Sequence, residues 1–153
     1  MMLLSACNPP FNWREIHAND TPFTVLMPAK ADSFSQNVQL LDVNLSMTMT
    51  ATEVGQLSFA VGSAKLADAS QASKVLAAMQ NGMIQNIHGQ ITKAAIVKGG
   101  VMTVQGRTAN GDVNMAARFI THGNWVYQLI IMGPEKKMTP EIIDTFMDSF
   151  VAN

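Results

Sequence analysis

The sequence predicts an α+β fold, a mainly antiparallel sheet of about seven to eight strands covered by two helices. Three observations carry that expectation. Short runs of alternating apolar and polar residues lie on both sides of one long amphipathic segment. The links between the later runs are short and rich in turn residues, and a second stripe of helical period closes the chain. Strand runs segregated from helices, rather than alternating strictly with them, favour an antiparallel sheet with helices on its faces. At 153 residues the chain fits one domain. A domain of that size hides roughly 70% of the surface its unfolded chain exposes, enough for a core without disulfides.

The elements follow in order. Phe23 to Met27 (FTVLM) is an apolar run stopped by Pro28 and reads as a first strand. In residues 34–40, Phe34, Gln36, Val38 and Leu40 share a side, and the apolar parity flips between Leu40 and Leu41. A turn or bulge explains the flip, because a one-residue slip sends every side chain to the opposite face. VNLSMTMTA is the clearest strand: Val43, Leu45, Met47, Met49 and Ala51 point one way, and Asn44, Ser46, Thr48 and Thr50 the other. Such period-2 patterning marks a strand with one buried and one wetter face. Residues 57–66 repeat it after a turn near Gly55, with Ala60, Gly62 and Ala64 allowing close approach.

The period then lengthens. Ala72, Leu76, Met79, Met83 and Ile87, with Val75 alongside, form one stripe of an amphipathic helix. Asp68 with Gln71 resembles a capping box, and Gly89 stands where a left-handed C-cap is expected. Four strands follow: residues 91–98 and 101–108 joined across Gly99-Gly100 as a two-residue hairpin, then 113–121 after Asn110-Gly111, then 125–132 after Gly123-Asn124. Short links predict a meander. Thr139 as N-cap and Pro140 at the first helical position open a closing helix, whose buried stripe is Ile142, Ile143, Phe146, Met147 and Phe150.

Composition narrows the function classes. Ten Lys and Arg against eleven Asp and Glu give a net charge of -1, so no basic stripe prepares the chain for nucleic acid. No apolar run approaches the ~18–20 residues a membrane helix needs. His17, His88 and His122 share no metal-ligand spacing, and no metal or cofactor is expected. The twelve methionines read as flexible core filler rather than a soft-metal site, although Met47 and Met49 share a strand face. No serine sits in a nucleophile elbow and the carboxylates fall at turns or caps, so catalytic residues are not expected. Arg118 lies mid-strand on the face of Ala116 and Ile120. It is a candidate for solvent exposure, for pairing under a covering helix, or for contact with an anion or partner; Arg107 shares that ambiguity.

The single cysteine, Cys7, precedes Pro9-Pro10 in a stretch without periodicity. No base or helix N-terminus near it in sequence would activate its thiol. Leu4-Ser5-Ala6-Cys7 resembles the bacterial lipobox, the motif at which lipoprotein signal peptides are cut just before the lipidated cysteine. That resemblance implies a signal remnant at residues 1–6, a lipidated Cys7 with a tether through residue 22, and one domain from 23 to 153. A signal peptide needs a basic start and roughly 7–15 apolar residues; MMLLSA has neither, so an export signal would begin upstream. Asn8 after the cysteine points, in the same family's sorting logic, to the periplasmic side of the outer membrane.

A strand ending in Pro28, the WVYQLIIMG strand with Tyr127 before Gly133, and the closing DTFMDSF helix resemble the Mog1/PsbP-like α/β/α sandwich group. They are most similar to small proteobacterial lipoproteins of that kind. That resemblance implies a non-catalytic cell-envelope protein, a protein-binding or assembly module held to the membrane through Cys7 and meeting an envelope protein partner. The alternatives are a cytosolic Mog1-like binding module, and a small-ligand carrier with a pocket between sheet and helix and Arg118 as anion handle.

Overall fold

The computed structural model describes residues 11–17 and 21–153; the expected signal remnant and the lipidation site Cys7 lie outside the described residues. The described residues form two antiparallel sheets. The larger has seven strands: β3 (Asp32–Leu40), β4 (Val43–Val54), β5 (Leu57–Lys65), β6 (Gln90–Lys93), β7 (Met102–Thr108), β8 (Gly111–His122) and β9 (Trp125–Gly133). Their spatial order is β3-β4-β5-β9-β8-β7-β6. The smaller sheet is β1 (Arg14–His17), β2 (Phe23–Met27) and β10 (Val151–Ala152), in the order β1-β2-β10. Two helices, α1 (Ala72–Asn86) and α2 (Pro140–Asp148), complete an α+β fold.

The large sheet is the middle layer, and each face has its own core. On one face α1 sets Val75 and Met79 against Leu45, Met47, Met102, Val104, Met115 and Val126. On the other, α2 and the small sheet set Phe146, Met147, Phe23, Val25 and Met27 against Phe59, Val61, Tyr127, Leu129 and Ile131. The predicted alternation of β4 and the stripe of α1 supply the first core, and Met47, Met79 and Met147 are filler in it or its counterpart. The parity flip becomes a two-residue turn: Leu40 pairs Val43, and Leu41 takes a positive φ of 58°.

Several expectations are corrected. The stretch assigned to a tether holds β1, which pairs with β2 from Arg14↔Met27 to His17↔Thr24. Phe11 and Trp13 pack on the second core, and Trp13 meets Phe59 edge-to-face at 5.9 Å, so folding begins well before residue 23. The Gly99-Gly100 hairpin does not form. Pairing of β6 with β7 starts at Gln90↔Gln105 and ends at Lys93↔Thr103, so residues 94–101 make a loop that leaves Ile96 88% exposed. Asp68 caps a short 3-10 turn, Ala69–Gln71, by accepting from Ser70 N, and Gln71 gives no return bond.

The end of α1 also differs from the expected Gly89 cap. His88 takes the left-handed position, φ 49°, while His88 N bonds Gln85 O and Gly89 N bonds Ile84 O. That pair of bonds is a Schellman closure displaced by one residue. Gly89 is required for space instead, since a Cβ there would lie 2.5 Å from Val104 Cγ1. At Gly106 a Cβ would strike the Ile87 carbonyl oxygen, the same oxygen that accepts from Arg107 N at 2.6 Å. The helix end is thus docked directly on β7.

Candidate functional site

The small sheet and α2 cover β5, β9 and β8 but stop short of β3 and β4. What they leave open is a groove of about 940 Å³ between β1 and the outer strands. Its floor is set by strand parity. Phe59 and Val61 of β5 face the second core, so Ser63 faces the same way, and its cross-strand neighbour is Thr48; Thr50 stands opposite Val61. One strand further out, Ser33 pairs Thr50 and Ser35 pairs Thr48. The face that is apolar at the centre of the sheet therefore becomes a field of hydroxyls at its margin.

Those hydroxyls are ordered by one another. Ser33 Oγ and Thr50 Oγ1 are 2.9 Å apart, Ser35 Oγ and Thr48 Oγ1 2.8 Å, and Ser63 Oγ donates to Thr48 O at 3.4 Å. Each hydroxyl has one proton and two acceptor sites; Thr50 and Ser63 are buried at 1% exposure, so the capacity to bond a ligand rests on exposed Ser33, Ser35 and Ser46 and half-buried Thr48. The walls carry charge. Among the described residues, Arg14, Lys30 and Lys65 line the groove with one carboxylate, Glu15, which is engaged by His17 Nε2 at 2.7 Å. Lys30 and Lys65 have no ion pair among the described residues. A locally cationic groove on a chain of net charge -1 favours anionic or strongly polar occupants.

Two groups at the groove's inner end add detail. Thr21 is 7% exposed, and its Oγ1 is the one buried side-chain polar atom without a partner among the described residues. Trp125 closes the wall and stacks on Tyr127, ring centroids 6.2 Å apart. Tyr127, fully buried, donates from its hydroxyl to Pro22 O at 3.1 Å, and burial pushes its pKa up to about 12.

The residues singled out from sequence lie elsewhere. Arg118 is on the predicted face of β8, and two of its five N–H donors bond backbone carbonyls. Nε donates to Gly99 O at 2.7 Å and Nη1 to Met147 O at 2.6 Å. It ties the 94–101 loop to the C-terminal end of α2, where the helix dipole favours a cation. Burial pulls its pKa down from the ordinary value and Asp148 partly offsets that. Arg118 does not line the groove. Arg107 is exposed, with Nε 3.3 Å from Asp112 Oδ1, beside His88 in a shallow hollow. An exposed pair of this kind contributes little. His17 is the one histidine of the three at the groove, and among the described residues no group of three His, Cys, Asp or Glu could hold a metal. The floor was foreshadowed by the polar face of VNLSMTMTA, but nothing local in the sequence announced that β1 would wall it.

No family model matches the chain, and no curated protein matches it. A solved protein of Bacteroides thetaiotaomicron VPI-5482 superposes with a TM-score of 0.48 at 9% identity. The match covers 86% of this chain and 45% of that one, so this chain spans less than half the length of that protein.

Proposed function

We propose that this chain is a non-catalytic binding module of the cell envelope, anchored through a lipid on Cys7, with the hydroxyl-lined groove as its binding surface. The observation that carries the binding role is the groove floor. Its serines and threonines bond one another, the neighbouring histidine is engaged by Glu15, and lysines stand on the walls. Such a surface recognises polar, anionic groups by many weak bonds. A Mog1/PsbP-like sandwich is consistent with a middle sheet carrying one helix on each face.

The anchor reading gains a short reach. Phe11 packs on the second core, and the four residue steps from Cys7 span at most about 14 Å at ~3.3–3.6 Å per residue. A lipid on Cys7 would hold the domain against the membrane, with its groove presented to envelope partners on the periplasmic side.

Two measurements test the two halves of the proposal. Palmitate labelling of the product of the full gene should appear in the wild type and vanish in Cys7→Ala; absence from the wild type removes the anchor. A photo-crosslinking residue at Ser46, on the groove, should yield a discrete adduct that is lost in Lys30→Glu/Lys65→Glu. The same residue at exposed Lys136 should yield none. Equal adducts from both positions, or none from Ser46, overturn the groove as the binding surface.

A further inference from the structure

Among the described residues, strand β3 is an edge of the seven-stranded sheet, and it lacks the devices that usually blunt an edge. Proteins protect such strands with lysines, prolines, bulges or brevity. This one runs nine residues, DSFSQNVQL, with a single charged residue at its first position. Its pairing with β4 is continuous from Asp32↔Ala51 to Leu40↔Val43. Phe34 on it is 55% exposed and Leu41 just beyond it 59% exposed.

The direction of its free hydrogen-bonding groups follows from the hairpin. With a two-residue turn, Leu40 and Val43 are a hydrogen-bonded pair, and bonded and non-bonded pairs then alternate along the ladder. Val38, Gln36 and Phe34 therefore direct their N–H and C=O groups toward β4. Ser33, Ser35, Asn37 and Gln39 direct theirs outward. The close Ser33–Thr50 and Ser35–Thr48 hydroxyl contacts agree, because side chains approach most closely in non-bonded pairs.

We propose that this edge pairs antiparallel with the same edge of a second copy of the chain, about a two-fold axis at Gln36. The register is self-complementary at every level. Ser35 meets Asn37 of the second copy and Ser33 meets its Gln39, so all the outward groups are used, in about eight hydrogen bonds. Phe34 falls opposite Val38 of the second copy in a non-bonded pair, where side chains pack most closely. The two hydroxyl floors would then join across the axis into one surface, although the pairing does not depend on what the groove binds.

The test uses the full chain carrying Cys7→Ala, which removes the native thiol. Sedimentation equilibrium at a chain concentration of about 100 μM should give twice the monomer mass of 16.6 kDa. Asn37→Pro removes an outward N–H while sparing the β3–β4 ladder, as edge prolines do, and should give the monomer with an unchanged circular dichroism spectrum. On oxidation Gln36→Cys should cross-link to its own copy. Ser33→Cys, about 20 Å from its copy in this register at ~3.4 Å per residue, should not. A monomeric parent chain overturns the proposal, whatever other strand the edge then accepts. So does a folded Asn37→Pro dimer, or cross-linking of Ser33→Cys as fast as Gln36→Cys. If Asn37→Pro fails to fold, the cysteine pair decides alone.

Discussion

The two halves of the large sheet share one ladder of hydrogen bonds and differ in what covers them. Strands β5, β9 and β8 are apolar on both faces and lie between α1 on one side and α2 with the small sheet on the other. Strands β3 and β4 are apolar only toward α1; their other face carries Ser33, Ser35, Ser46, Thr48 and Thr50. Burial of apolar area is the dominant favourable term in folding, so the inner half holds the domain together. The outer half is held by its ladder and by packing on one side. That lower stake is what leaves it available to a ligand and to another strand.

The contrast breaks most visibly at Phe59. Its ring is fully buried and meets Trp13 and Phe146 edge-to-face, so Phe59→Ala should cost about 3–5 kcal/mol in urea unfolding. Thr48→Val, one strand outward on the same face, exchanges a hydroxyl contact for a methyl and should change stability by less than about 1 kcal/mol. Comparable losses at both positions would mean that the outer face is core and that the groove is no surface for binding.

The inner half should also govern stability in alkali. Tyr127 is the single tyrosine, and burial raises its pKa from 10.0 to about 12. The neutral phenol is favoured by the fold, so its contribution is fully present below pH 10. Above pH 10 the unfolded chain releases the proton first, and the contribution falls until the folded form also ionises near pH 12. The loss amounts to roughly 2–3 kcal/mol. Tyr127→Phe should abolish that slope, while costing only about 1 kcal/mol near neutral pH, because Pro22 O keeps its bond from Asn153 N. A tyrosinate absorbance midpoint near 10 in the folded protein would contradict the burial.

Much of this division is legible in the sequence, and the exceptions share a cause. The period of β4, the stripe of α1 and the caps of α2 are local patterns, so they follow from spacing alone. The 94–101 loop stands where a strand is expected because Ala94, Ala95, Ile96 and Val97 have the composition of one. The register that strands them is set across β6 and β7, and the loop is held by Arg118 from β8. Strand β1 leaves no sequence signal for the same reason, since Arg-Glu-Ile-His has no period and is ordered by its partner β2. Walls and loops made by distant partners leave no local trace, and the groove has such a wall.

Arg118 turns that lesson into a measurement. Arg118→Ala removes two charge-assisted bonds to the carbonyls of Gly99 and Met147, and should cost about 2 kcal/mol. The larger signature should be local, with protease cleavage within 94–101 rising sharply while the groove variants Lys30→Glu and Lys65→Glu leave that loop protected. Arg118→Lys, which can reach one carbonyl but not both, should fall between. If the loop stays protected in Arg118→Ala, the arginine is not what orders it.

The smallest expected effect separates the two halves most finely. Leu41, in the outer hairpin, and His88, at the end of α1, both sit in the left-handed region, at φ 58° and 49°. A side chain there costs about 1–2 kcal/mol relative to an ordinary backbone conformation. Leu41→Asn and His88→Gly should each recover a fraction of that, about 0.5–1 kcal/mol. The place where the gain is read should differ. His88 lies where α1 docks on β7, so relief there should raise the global melting temperature by a few degrees. Leu41 joins two strands covered on one face, a segment that can open before the rest. Its relief should therefore slow hydrogen exchange along β3 and β4 more than it raises the melting temperature. Equal global shifts from both substitutions would show that the margin unfolds only with the centre, and the division between a holding half and an available half would fail.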